Sequence, residues 1–308
     1  MTDIAGKPRW RRIVDFPLVT MVIAAATFVF AQVLAQVIGG LLPKLASPWE
    51  ELVSFLIALT LALLAYKFVI AKMGERPRDD LPWRGSLKGL GAGTAVGFVL
   101  FSAVVGVAAL VGVYSIAGDG DRIGILASLI LIGLVPGFFE EVLIRGILFR
   151  WLEEFGGSWF ALVASSLLFG FAHFANPNAT LFSSLAIAVE AGILLGGAYM
   201  LTRSLWFAIG IHAAWNFTQG EIFDVPVSGL DQQGLVTARL SGPEWLSGGA
   251  FGLEASVIAM LLATSLGIWF VVLAARRGHL VQPWWVRRRQ MPQEVATGGT
   301  GETLPPVT

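Results

Sequence analysis

The sequence contains no cysteine among its 308 residues and few charged residues. The absence of cysteine excludes disulfides, iron–sulfur clusters, thiolate zinc sites and a cysteine nucleophile. Charged residues make up only 14% of the chain, against about 25% in an ordinary soluble domain, whereas hydrophobic residues make up 56%. The formal net charge is zero, so no overall positive field favours nucleic acid as a partner. This composition indicates a membrane protein that has the lipid bilayer as a partner.

Long apolar runs dominate what the sequence does contain. A membrane span needs about 20 mostly apolar residues. The first run, 16–42, is too long for the apolar core of a cleaved signal peptide, which has about 7–15 residues. We therefore predict an all-α, polytopic membrane protein with about eight transmembrane helices. The predicted spans are 16–42, 52–71, 89–116, 123–150, 158–174, 179–201, 205–222 and 251–275.

Basic residues outside these spans are unevenly distributed. With both termini in the cytoplasm, sixteen Lys and Arg residues fall on the cytoplasmic side and three, Lys44, Arg122 and Arg239, on the other. This asymmetry follows the positive-inside rule, so we predict cytoplasmic termini and a plasma membrane of the bacterial inner-membrane type. We expect residues 1–282 to form one transmembrane domain and residues 283–308 a tail that is basic and then disordered.

Three ionisable residues lie close together in the predicted fourth span. A charge inside a span costs at least about 2.5–3.5 kcal/mol, so such residues are functional candidates. Glu141 and Arg145 are four residues apart, which puts them on one helix face where they can form an ion pair. The neighbouring Glu140 points about 100° away, and a pair of adjacent carboxylates is typical of a general acid or base. The simpler alternative is that all three residues end the helix at the lipid headgroups.

Two of the three histidines also lie in predicted spans. His173 follows Phe169 by four residues near the end of the fifth span, and His212 precedes Asn216 by four residues in the seventh. A capping histidine and a His–Asn hydrogen bond between helices are the simpler alternatives. Weaker signals come from Glu190, as a pairing or cavity-lining residue, and from Lys67 and Glu254, as interfacial residues.

A single buried site is compatible with the depths of these residues. At a rise of about 1.5 Å per residue, Glu140, His173, His212 and Asn216 lie about 10–22 Å from the predicted cytoplasmic surface. A carboxylate and an imidazole can activate water, and a His–Asn pair can donate hydrogen bonds to an oxyanion.

A zinc site is the alternative use of the same residues. Glu140, His173 and His212 form a known type of catalytic zinc set. The sequence contains no H-E-x-x-H motif, so three spans would have to assemble such a site. We find no Ser-His-Asp or Cys-His arrangement either.

The candidate residues form three motifs on separate predicted spans. They are an EExxxR motif (Glu140 to Arg145), an FxxxH motif (Phe169 to His173) and an HxxxN motif (His212 to Asn216). In this order and topology the chain resembles the CPBP family, which comprises the type II CAAX prenyl proteases and bacteriocin-processing or immunity relatives, also called the Abi family. The resemblance covers about residues 123–220, which become the predicted catalytic core. It implies an intramembrane endopeptidase with a membrane-associated peptide or protein substrate, for which prenylated CAAX proteins are the archetype.

The resemblance also implies roles for individual residues. The first Glu and the second-motif His, here Glu140 and His173, are taken to activate water. The third-motif pair, here His212 and Asn216, is taken to stabilise the oxyanion. The family has been described both as glutamate-type proteases without a cofactor and as zinc metalloproteases. The glutamate type is favoured here, because Asn is a poor metal ligand and a good oxyanion donor.

Two functions from other classes stay open at this stage. One is a non-catalytic immunity or scaffold protein that binds another membrane protein. The other is a proton-coupled transporter, because buried Glu and His residues also form proton relays. The sequence has no convincing internal repeat, which disfavours the transporter.

Overall fold

The computed structural model describes residues 8–120 and 124–289, and over this part the protein is mainly α-helical. The longer helices are α1 (Pro17–Leu41), α2 (Trp49–Lys72), α3 (Ser86–Leu110), α4 (Ile125–Ala175), α5 (Leu181–Thr202), α6 (Leu205–Phe217) and α7 (Val257–Arg276). Helix α6 continues as a π-helix over Thr218–Ile222. Two strands, β1 (Tyr114–Asp119) and β2 (Val236–Leu240), form an antiparallel ribbon. Short helices cover Arg9–Val14, Glu244–Ser247, Gly249–Phe251, Leu253–Ala255 and Trp284–Arg289.

The helical membrane fold predicted from the apolar runs is confirmed. Within the described ranges, six helices are long and apolar enough to cross a membrane, namely α1, α2, α3, α4, α5 and α7. The protein is therefore an integral membrane protein. The number of eight spans and the cytoplasmic termini remain predictions.

Helix α4 contains two of the predicted spans and folds back on itself. The Arg145 guanidinium lies 4.6 Å from the centre of the Phe169 ring, although a straight helix would separate the two residues by about 36 Å. The reversal occurs at Gly157, midway between them, which has φ 83° and ψ 171°. Only glycine adopts such a backbone conformation without strain. The two halves of α4 are thus antiparallel, and this brings the first and second motifs together.

Two predicted spans differ from the observed helices at their ends. Span 89–116 ends earlier, at Leu110, because Gly112 adopts a left-handed conformation (φ 77°) that closes the helix. Span 251–275 starts later, at Val257, after Ser256 accepts a hydrogen bond from the Ala259 amide and so caps the helix. Hydropathy measures only burial in lipid, so it could not detect these local signals.

The predicted tail begins as ordered structure. Trp284–Arg289 is a helix, and Arg287 forms an ion pair with Glu154 at 3.1 Å. The rest of the predicted tail, like Lys7 and Arg122 of the charge comparison, lies outside the described residues.

Close packing between α3 and α6 fixes the third motif in place. A Cβ atom at Gly93 would lie 2.2 Å from the carbonyl oxygen of Phe207, and one at Gly97 would lie 2.3 Å from that of Ile211. Only glycine allows two helix backbones to approach so closely, as is common between membrane helices. The neighbouring His212 is therefore held by backbone contact rather than by flexible side chains.

Candidate active site

A cavity of about 900 Å³ opens at one end of the helix bundle. Its mouth lies between the α1–α2 connection, the start of α4 and the loop after α6. Its wall includes four of the six predicted site residues: Glu140, His173, His212 and Asn216. The other two, Glu141 and Arg145, are fully buried behind this wall.

Glu140 is the carboxylate that faces the cavity. Its side chain is 37% exposed, and its Oε2 atom lies 3.9 Å from Nε2 of His212. The Oε2 atom itself is buried, and no hydrogen-bond partner for it occurs in the described part of the chain. The distance to His212 is too long for a direct hydrogen bond. The exposed part of the Glu140 side chain lines the cavity.

Glu141 orients His212 instead of facing the cavity. Its Oε1 atom lies 2.7 Å from Nη1 of Arg145 and 3.0 Å from Nδ1 of His212. A carboxylate paired with Arg can only accept hydrogen bonds, so Nδ1 of His212 carries the proton and donates it. This fixes the imidazole ring with Nε2 directed to Glu140.

Arg145 connects the two halves of α4 with α5. In addition to its ion pair with Glu141, it donates a hydrogen bond of 3.2 Å to the carbonyl oxygen of Ala191. It also lies over the face of the Phe169 ring, a favourable position for a cation. The EExxxR motif therefore contributes one residue to the cavity and two to its support.

His173 is oriented by the backbone of its own helix. Its Nδ1 atom lies 2.8 Å from the carbonyl oxygen of Phe169. Because a carbonyl oxygen only accepts, Nδ1 carries the proton and Nε2 is left free to accept one. The Phe169 ring contacts both His173 and His212, with centroid distances of 4.7 and 6.0 Å. The Phe of the FxxxH motif thus separates the two imidazoles.

Asn216 lies one helical turn after His212 and is buried to a similar degree. The two side chains face the same cavity wall, as their spacing of four residues predicts. A side-chain amide offers two N–H donors. Asn216 thus adds a potential donor to the cavity wall beside His212.

A second, smaller cavity of about 30 Å³ lies behind this wall. It is lined by His212 and Asn216 on one side and by Glu190 and Glu254 on the other. Its size is sufficient for one water molecule. Glu190 therefore lines a cavity, one of the two roles that its sequence position suggested.

A tight hairpin in the loop after α6 covers the mouth of the main cavity. Val227 and Leu230 exchange backbone hydrogen bonds, and Ser228 and Gly229 between them both have positive φ, which defines a type I′ turn. Asn176 and Asn178 hold the turn by hydrogen bonds to its carbonyl groups, at 3.0 and 3.2 Å. Sequence reasoning assigned this loop no role, although the Ser-Gly pair is a known turn signal.

Glu254, which we predicted to be an interfacial residue, is part of this arrangement. It is 2% exposed and accepts a hydrogen bond from the Ser228 amide. It precedes α7, and burial raises its pKa to about 7 although hydrogen bonds from Ser228 and Gln219 oppose this shift. Lys67, the other predicted interfacial residue, forms an ion pair with Asp79 at 2.7 Å.

Replacing Glu254 by Gln should change how the stability of the protein depends on pH. A carboxyl group whose pKa is raised on folding stabilises the protein only while it is protonated, so stability falls as the pH rises from about 4.5 to 7. For the shift to about 7, this loss is roughly 3 kcal/mol. We expect E254Q to remove the loss, because Gln still accepts the Ser228 hydrogen bond. The melting temperature in detergent, measured between pH 5 and 8, provides the test.

The matched control for this prediction is E244Q, which removes an exposed Glu from the same loop. It should leave the pH dependence as in the wild type. A wild-type melting temperature that is constant from pH 5 to 8 would contradict the prediction.

A zinc site is the alternative use of three of these residues, Glu140, His173 and His212. Over the described ranges, no group of three His, Asp or Glu side chains is close enough to hold one metal ion. Nδ1 of His212 is engaged by Glu141, whereas Nε2 of His212 lies 3.9 Å from Oε2 of Glu140. Two ligands that each lie about 2 Å from one zinc ion can be separated by a similar distance, so the His212–Glu140 distance does not decide between the two types of site.

Residues 122–218 match the family described as type II CAAX prenyl endopeptidase Rce1-like. No curated protein and no solved structure matches significantly. The matched segment contains all three motifs and the fold-back of α4. This segment is therefore similar to the family that the three motifs indicated.

Proposed function

We propose that this protein is an intramembrane endopeptidase of the glutamate type, which hydrolyses a peptide bond in a membrane-associated substrate. The observation that carries the proposal is the convergence of Glu140, His173, His212 and Asn216 on one cavity. They come from three helical segments that are distant in sequence. If these residues only ended helices at the lipid headgroups, they would have no reason to meet in one cavity. We further propose that the membrane is the bacterial inner membrane.

Water activation is the first step of the proposed mechanism. Glu140 and His173 both line the cavity, and each has an atom that can accept a proton, a carboxylate oxygen and Nε2. A water bound by these atoms loses a proton to them as it attacks the carbonyl carbon of the scissile bond. The group that took up this proton returns it to the leaving amine when the C–N bond breaks. Breaking the C–N bond therefore needs no separate general acid.

Stabilisation of the oxyanion is the second part. The carbonyl oxygen gains a negative charge in the tetrahedral intermediate, and donors held in advance are the most effective stabilisers. The Asn216 amide supplies such a donor, and His212 supplies another when Nε2 is protonated. The Glu141–Arg145 ion pair holds His212 in this orientation from behind. Glu141 and Arg145 thus act as positioning residues.

Replacement of Asn216 by Ala should lower kcat by about 10²–10³-fold, as for other oxyanion-hole donors. We expect a smaller change in KM, because the contact forms mainly in the transition state. Purified protein and a cleavable substrate provide the measurement. A matched control is N178A, which removes an Asn that is outside the cavity lining and donates a hydrogen bond to the Gly229 carbonyl oxygen. A loss in N216A no larger than in N178A would argue against an oxyanion role.

The substrate has to be found before such kinetics are possible. Membrane and secreted proteins of producing cells are compared between wild type, Glu140→Ala and His173→Ala, and new N-termini are sequenced. We expect at least one protein to be cleaved by the wild type and to accumulate intact with both variants. An unchanged cleavage pattern in both variants would refute proteolysis and favour the scaffold or immunity function.

Metal content distinguishes the two proposed types of protease. The glutamate type predicts that activity survives a strong chelator and that purified protein carries less than stoichiometric zinc. One tightly bound zinc per chain would reverse this assignment without affecting the proposal of proteolysis.

A further inference from the structure

The two ends of the helix bundle differ in charge. At one end, the loop before α3, the Gly157 bend and the end of α5 are joined by buried ionic contacts. Arg203 forms an ion pair with Glu153 at 2.6 Å, and Arg150 donates a hydrogen bond of 2.8 Å to the carbonyl oxygen of Arg78. Among the described residues, fifteen of the sixteen basic residues that the sequence assigns to the cytoplasmic side lie at this end, and Lys44 and Arg239 lie at the other. We call it the basic end.

The active-site cavity opens at the opposite end. Ser47, Gly124 and Gln233 line it, and they lie in the α1–α2 connection, just before α4 and in the loop after α6. Each of these connections leaves the bundle away from the basic end. The hairpin at Ser228 that covers the mouth is on this side as well.

The cavity has a closed floor toward the basic end. The amide of Leu205, at the start of α6, donates a hydrogen bond of 2.8 Å to the Asp80 carbonyl oxygen, within the basic end. His212 lies about 10 Å further along this helix. Leu205 and Ile209 fill the turns between, with 0% and 2% exposure. A peptide can therefore reach the candidate residues from the mouth but has to displace packed core residues from the basic end.

The cavity wall is acidic. It includes the carboxyl groups of Glu140, Glu221 and Asp231, and neither Lys nor Arg occurs among its described lining residues. A free C-terminal carboxylate close to the scissile bond would be repelled by this wall. An internal segment of a chain, neutral or basic, is compatible with it.

We infer that the protease takes its substrate from the non-cytoplasmic side of the membrane. The positive-inside rule assigns the basic end to the cytoplasm, and the mouth is at the other end. The substrate is then an internal segment of a secreted or membrane-anchored protein that is exposed on that side, not the C-terminus of a cytosolic protein. That the protein cleaves a substrate rests on the proposed function, whereas the side of the membrane to which the cavity opens does not.

The absence of cysteine allows a direct test. Single cysteines are introduced in the full chain at Gln233 and Ser128, which line the cavity, and at Pro77, an exposed position at the basic end. Sealed right-side-out vesicles are treated with a membrane-impermeant maleimide before and after permeabilisation. We expect Gln233→Cys and Ser128→Cys to be labelled in sealed vesicles and Pro77→Cys only after permeabilisation. The cysteine-free wild type gives the background.

The opposite labelling pattern would overturn the inference, as would labelling of Pro77→Cys in sealed vesicles. A second arm uses a tethered substrate whose cleavable segment faces either side, and cleavage is expected only on the non-cytoplasmic side. Cleavage on the cytoplasmic side would favour a cytosolic, CAAX-type substrate. The labelling pattern should be unchanged in a Glu140→Ala background, so the orientation and the proteolytic function can fail independently.

Discussion

Replacement of Glu140 by Gln should lower the rate of peptide cleavage by about 10²–10⁴-fold, the usual contribution of a general base. Gln has nearly the same shape as Glu but cannot take a proton from water. The Glu140 side chain lines the cavity and is 37% exposed, and its carboxylate is the proton acceptor that the mechanism uses. The measurement is kcat with purified protein in proteoliposomes. Folding should be unaffected, because the Glu140 side chain is partly exposed.

The matched control for E140Q is E221Q. Glu221 also lines the cavity and is nearly fully buried, at 2% exposure, but it lies outside the three motifs. We expect E221Q to retain most of the activity. Equal losses in both variants would indicate that the negative charge of the cavity, and not a base at Glu140, determines the rate. Full activity of E140Q would refute the glutamate mechanism.

Replacement of Arg145 by Met should destabilise the protein by about 3–5 kcal/mol, because it leaves a buried carboxylate without its partner. Both Arg145 and Glu141 are 0% exposed, with 2.7 Å between their charged atoms. The variant should also lose activity, since Glu141 orients His212. The melting temperature and the midpoint of denaturant-induced unfolding in detergent are the measurements.

Two controls separate the lost ion pair from a general effect. The exposed R277M at the end of α7 should change stability by no more than about 0.5 kcal/mol. The double variant R145M/E141Q should recover much of the lost stability, because replacing both charges removes the unpaired carboxylate. It should stay inactive, because His212 keeps only a neutral partner. A double variant that is less stable than R145M would show that the ion pair is not the cause.

Local spacing explains why parts of the site were predictable from the sequence. The four-residue interval between Glu141 and Arg145 puts both on one helix face, and the structure contains this ion pair. The same interval puts His212 and Asn216 on one wall of the cavity. Residues one helical turn apart are neighbours whatever the rest of the fold does. The motifs were recognisable for this reason.

Contacts between distant segments were not predictable. The sequence did not indicate the contact of Glu254 with the Ser228 amide, because Ser228 is 26 residues away in an irregular loop. The contact of Glu141 with His212 spans 71 residues. It depends on the close packing of α4 against α6, where a Cβ atom at Gly137 would lie 2.9 Å from the amide nitrogen of Ala213. The hydrophobic periodicity of a sequence does not indicate which distant residues form such a contact.

By itself the sequence determined that this is a helical membrane protein with an Rce1-like segment. Long apolar runs form α-helices in a bilayer, because every backbone polar group has to be hydrogen-bonded within the segment. The predicted spans 123–150 and 158–174 already imply a reversal between them, but only the tertiary structure placed it at Gly157. Only the tertiary structure decided as well that four motif residues share one cavity and that a hairpin covers its mouth. These features result from one glycine in an unusual conformation and from long-range packing. Neither is visible in composition or spacing.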